Sequence, residues 1–97
     1  MSIRFGPSVG VKANVTGTGA SVTLQAANPL RKGLLLFNDS GVSADIDLSG
    51  GTASATSCSL TIPDQGIYEL PILDGGVYTG AVTGIWASGS IRVTEFT

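Results

Sequence analysis

The chain has 97 residues, a net charge of −2, five cations, seven acids and no histidine. Its 12% charged residues are half of the roughly 25% usual in soluble domains, so the surface is solvated by hydroxyls and backbone or is covered by neighbours. One domain with a modest core fits this length, while imidazole-based catalysis is excluded outright.

Met1-Ser2-Ile3-Arg4-Phe5-Gly6-Pro7 contains no hydrophobic leader, and no stretch approaches about 18 apolar residues. Neither a signal peptide nor a membrane span is expected. An N-terminal arm of about residues 1–8 should precede a single β domain spanning 1–97. Val9, Val11, Ala13 and Val15 alternate with Gly10, Lys12 and Asn14, the period of a half-buried strand. After the Thr16-Gly17-Thr18-Gly19 turn, Ala20, Val22, Leu24 and Ala26 alternate with Ser21, Thr23 and Gln25. The short glycine-containing loop predicts that these two strands pair as a hairpin. Pro29 breaks the second one, because proline has no amide proton for a ladder.

Leu34-Leu35-Leu36-Phe37 is the longest run of large apolar residues, bounded by Arg31-Lys32-Gly33 and by Asn38-Asp39-Ser40-Gly41. Such a run predicts a central strand buried on both faces. Ala44, Ile46 and Leu48 then alternate with Ser43, Asp45 and Asp47. Residues 49–55 form a loop of small residues. Cys58, Leu60 and Ile62 alternate with Ser57, Ser59 and Thr61, which makes Cys58 a small core residue and suits a reducing compartment. Ile67-Tyr68-Glu69-Leu70 is a short strand stopped by Pro71. Val77-Tyr78, residues 81–87 with Trp86, and Ile91-Arg92-Val93-Thr94-Glu95-Phe96 complete the pattern. The whole predicts an all-β fold of about eight short antiparallel strands, in a small sandwich or barrel with possible jelly-roll wiring.

The cations Arg4, Lys12, Arg31, Lys32 and Arg92 are scattered and form no stripe for a phosphate backbone, so no nucleic-acid partner is expected. Asp45 and Asp47 share a strand face, as paired carboxylates would in a glycosidase, but that face is the polar one and a solvated surface is the better account. Asp39, Asp45 and Asp47 match no calcium-loop spacing, and Gly50-Gly51 and Gly75-Gly76 lack the lysine of a phosphate loop. No catalytic, cofactor or metal site is expected, and the chain reads as a non-enzyme. Trp86, in phase with Val82 and Gly84, reads as core. Tyr78, beside a glycine-rich loop, is the better aromatic for an exposed contact such as sugar stacking.

Asn28-Pro29-Leu30-Arg31-Lys32-Gly33-Leu34-Leu35-Leu36-Phe37-Asn38-Asp39-Ser40 resembles the "NPxRKGLxxxNxS" segment of small structural proteins of tailed bacteriophages. The resemblance continues through Ile67-Tyr68-Glu69-Leu70-Pro71, Tyr78-Thr79-Gly80, Gly84-Ile85-Trp86-Ala87-Ser88 and Arg92-Val93-Thr94-Glu95-Phe96, covering residues 28–96. It implies a virion protein, most like a capsid decoration (cement) protein on the capsid surface, assembled in the host bacterial cytoplasm. The implied partners are the major capsid protein and further copies of the chain, with a homotrimer favoured, and neither nucleic acid nor membrane. Contacts are expected from Ser2, Ile3, Arg4, Phe5 and Pro7 of the arm and from Tyr78, with loops 49–56 and 73–80 as secondary surfaces. The alternative is a tail, neck or fibre-associated β-module able to bind host glycans.

Overall fold

The computed structural model describes residues 9–74 and 76–97. These form ten strands and no helix: β1 (Gly10–Thr16), β2 (Val22–Gln25), β3 (Gly33–Asp39), β4 (Ala44–Asp47), β5 (Leu60–Ile62), β6 (Ile67–Glu69), β7 (Ile72–Leu73), β8 (Gly76–Val77), β9 (Val82–Ile85) and β10 (Ser90–Phe96). Two four-stranded antiparallel sheets pack face to face, in the orders β1-β10-β3-β6 and β2-β9-β4-β5, with β7-β8 as a separate hairpin. The fold is all-β, an open sandwich rather than a closed barrel.

The wiring follows from four strand pairings, β1 with β10, β2 with β9, β3 with β6 and β4 with β5. Each pair contributes one sheet's neighbours, and consecutive strands β1 and β2, β3 and β4, β5 and β6, and β9 and β10 fall in opposite sheets. That is jelly-roll wiring, with the β7-β8 hairpin inserted before the penultimate strand. The expected β1–β2 hairpin is therefore corrected. The loop after β1 is tied to the β9–β10 connection instead, through Gly17 N–H on the Gly89 carbonyl (2.9 Å) and Gly19 N–H on the Trp86 carbonyl (2.9 Å). Gly17 lies flat against the Trp86 indole, where any Cβ would collide with the ring. The chain can thus cross from one sheet to the other in a few residues.

The core is built by the alternation that the sequence shows. Leu34 and Leu36 of β3, Ile91 and Val93 of β10, Ala44 and Ile46 of β4, Val82 of β9, Leu24, Ile62, Leu70 and Trp86 all point between the sheets and are buried. Fully burying such an aliphatic side chain contributes about 1.5–3 kcal/mol each. Gly84 makes the room for Trp86: a Cβ there would stand 3.0 Å from the indole and 2.9 Å from Leu24 Cδ1. β3 is central in its sheet, as expected, but only one of its faces is fully buried. Leu34 and Leu36 are 1% and 0% exposed, whereas Leu35 and Phe37 are half-buried on the outer face.

Asn38 continues the inward phase of β3 as a fully buried polar residue. Its Nδ2 donates to the carbonyls of Val42 (2.8 Å) and Ile62 (2.9 Å), and its Oδ1 accepts from Ser40 Oγ (2.6 Å) and Ser40 N–H (3.1 Å). A buried amide is tolerated because it is paired throughout, and here it fastens the β3–β4 turn to the end of β5. Cys58, expected in the core, is half-buried and free.

Candidate functional site

Two features stand out beyond the apolar core, a buried ion pair at one end of the sandwich and an uncovered apolar surface beside it. Glu95 occupies the inward phase of β10 with Ile91 and Val93, so its carboxylate enters the sandwich. Arg31, in the loop before β3, meets it with Nε 2.7 Å from Oε2, and the two side chains are 0% and 10% exposed. The guanidinium also donates to the carbonyls of Tyr78 (3.0 Å), Gly80 (2.9 Å) and Ala26 (2.7 Å). The other carboxylate oxygen accepts from the amides of Gln25 and Asn28, each at 3.2 Å. Asn28 N–H donates to the Thr79 carbonyl (2.8 Å), and its Oδ1 accepts from Leu30 N–H (3.0 Å).

Charge buried at this depth is costly unless paired and hydrogen-bonded on all sides, and here the partners are supplied by four separate segments. The node clamps the 26–31 loop, the 78–80 loop and β10 together. It brings Asn28 and Arg31, Tyr78 to Gly80, and Glu95 into one cluster. The sequence pattern alone leaves Arg31 as one of several scattered cations. A usable signal existed, since a carboxylate in the apolar phase of a strand demands a buried cation.

The uncovered surface lies on the outer face of β3, β6 and β10. Lys32, Gly33, Leu35, Glu69, Leu70, Ile72 and Phe96 line much of an open groove of about 490 Å³ between this face and the β7-β8 hairpin. Ile67 stands on the same face two residues before Glu69 and is 69% exposed; Ile72 and Leu73 on β7 are 74% and 68% exposed. Leu30, at the tip of the loop that delivers Arg31, is 73% exposed. Large apolar side chains left this exposed around a groove are a common mark of a contact surface. Phe37 is shielded in part by Arg92, whose guanidinium carbon lies 5.6 Å from the ring centroid.

The expected contact residues fall out as follows. Ser2, Ile3, Arg4, Phe5 and Pro7 lie outside the described residues. Tyr78 is half-buried against the core, its hydroxyl donates to the Ala81 carbonyl (2.7 Å), and its ring packs on Gly80, where a Cβ would collide with it. Its hydroxyl is thereby engaged within the fold, and its backbone carbonyl serves Arg31.

The aspartates act as local fasteners. Asp47 shares the outward face of β4 with Asp45 as expected, but it is buried rather than solvated, a correction with a local cause: Oδ2 accepts from Ser49 Oγ (2.7 Å) and Gly51 N–H (3.1 Å), folding the following loop over it. Asp45 accepts from Thr61 Oγ1 (2.7 Å), and Asp39 from Gln65 Nε2 (2.7 Å) and Arg92 (2.9 Å). Asp39, Asp45 and Asp47 are thus held by different partners, and no group of three or more metal-ligating side chains occurs among the described residues.

No family model and no curated protein matches this sequence. Among solved structures, the crystal structure of PirA is similar, with a TM-score of 0.52 and 15% sequence identity. The similarity covers 89% of this chain and 93% of that chain, and it bears on the fold alone.

Proposed function

We propose that this chain is a non-enzymatic structural subunit of a tailed-phage virion, a decoration protein that stabilises the assembled capsid from outside. The motif resemblance over residues 28–96 supports the virion setting. The observation that carries the structural role is the groove lined by Leu35, Ile72 and Phe96, with Ile67 exposed on the same sheet face and Leu30 and Leu73 exposed elsewhere on the surface. Such a surface suits burial against a larger partner. A subunit that binds only the assembled shell stabilises that shell by mass action, without chemistry. The major capsid protein is the proposed partner.

Quantitative mass spectrometry of purified heads and tails tests this directly. Many copies in heads and none in isolated tails is the expected result. Recovery in tails alone would overturn the capsid assignment and favour the tail, neck or fibre alternative.

A further inference from the structure

We infer that two copies of this chain join through β1, antiparallel about a twofold axis, so that the β1-β10-β3-β6 sheet continues into its partner. The two sheets have four edge strands, β1, β6, β2 and β5. Edges are normally blunted by shortness, proline, bulges or charge. β6 has three residues and runs into Leu70-Pro71, β5 has three and ends at Pro63, and β2 has four with a register shift between Thr23 and Gln25. β1 has only one of these protections, a single charge. Its seven residues pair with β10 in unbroken register, contain no proline, and carry one charge, Lys12.

The direction of its free groups is fixed by the ladder. Val9 and Thr97 exchange both main-chain bonds (3.4 and 3.0 Å), and Gly17 N–H donates to the Gly89 carbonyl. Antiparallel alternation therefore turns the odd-numbered residues of β1 toward β10, and the N–H and C=O groups of Gly10, Lys12, Asn14 and Thr16 toward the open side. Among the described residues those main-chain groups meet no partner. Val11 shares the inward phase of Glu95 yet is 61% exposed, and Val9 is 52% exposed, because the core reaches this strand only at Val15.

The sequence of β1 suits itself as the occupant. Folding Gly-Val-Lys-Ala-Asn-Val-Thr onto a second copy about Ala13 sets Val11 opposite its partner's Val15 and Lys12 opposite its partner's Asn14. In that register all four outward-facing residues become hydrogen-bonded pairs, on the order of eight main-chain bonds. Sliding to centre on Lys12 would oppose two like charges. An isologous contact of this kind closes at two copies, in place of the trimer that the resemblance implies. The inference does not depend on the virion reading.

Sedimentation equilibrium of the full chain, with Asn14 variants, is the test. Wild type should be a concentration-dependent dimer. Asn14→Lys should make it monomeric, with an unchanged circular dichroism spectrum. Asn14→Asp should tighten the dimer about tenfold, by opposing Lys12 with an acid in both symmetric pairs. In a Cys58→Ser background, Ala13→Cys should oxidise to a covalent dimer, because the residue on the twofold faces its own copy. A monomeric wild type, a trimer, or a dimer indifferent to both Asn14 changes would overturn the inference.

Discussion

On the outer face of β2-β9-β4-β5 stand Thr23, Thr83, Asp45 and Thr61 with one aliphatic, Ile85, and the 49–52 loop is bonded over Asp47 and Thr83. On the outer face of β1-β10-β3-β6, Leu35, Phe37, Ile67 and Phe96 stand among the polar Lys12, Asn14, Arg92, Thr94 and Glu69. Both sheets obey the same inward alternation, so the shared core accounts for neither outer pattern. Hydroxyls and carboxylates suit water, whereas half-buried and exposed rings and aliphatics suit a partner. The difference therefore separates what folding requires from what the surface is for. It also extends inward: the first sheet contributes the buried Glu95 and Asn38, while the inward positions of the second are apolar or glycine.

The largest expected effect lies in that inward asymmetry. Replacing Arg31 by Met leaves Glu95 buried without its cation and should cost about 3–5 kcal/mol, the range for breaking a buried pair from one side. Urea denaturation would read this as a lower midpoint. A loss under about 1 kcal/mol, the range of a surface pair, would mean that the node does not hold the loops.

Next comes the contrast between the two faces of β3. Leu36→Ala should cost about 2–5 kcal/mol, as a cavity opens in the core. Leu35→Ala, one residue away on the outer face, should cost about 1 kcal/mol, the centre of ordinary substitutions. Thermal unfolding of the two variants side by side measures the difference. Equal costs would show that the outer face is as enclosed as the inner one. Tyr78→Phe should follow, at about 0.5–1.5 kcal/mol for one lost hydrogen bond to the Ala81 carbonyl.

These sites also show how far the sequence could be read. A period of two reports which face a side chain takes, and Ala44, Ile46, Val82, Gly84 and Trp86 all lie on the inner face that their alternation predicts. It carries no information about which strand lies alongside, so β1 was assigned to its chain neighbour β2 instead of to β10. The Arg31–Glu95 pair joins residues 64 apart, and Arg31 sits in a loop with no period to betray its burial. Leu35 and Phe37 were read as buried because a continuous apolar run looks the same whether its second face meets another layer or a groove. The jelly-roll wiring was no more than one option, since it depends on the pairings that a single sequence leaves open.

The smallest effect on stability should fall on the exposed apolar positions, and it bears most directly on the contrast between the two outer faces. Ile72 is 74% exposed and Ile67 69% exposed, so Ile67→Ser with Ile72→Ser removes little buried area. The folded state should change by no more than about 0.5 kcal/mol per site, as for surface substitutions away from special features. If this face meets a shell, the same pair of changes should abolish co-sedimentation of the protein with purified heads. Thr23→Ser with Thr61→Ser on the opposite face should leave it intact. Loss of binding in both variants, or in neither, would show that the apolar face is not the one that docks. Because stability is expected to stay level in all of them, any difference in binding would report the surface and not the fold.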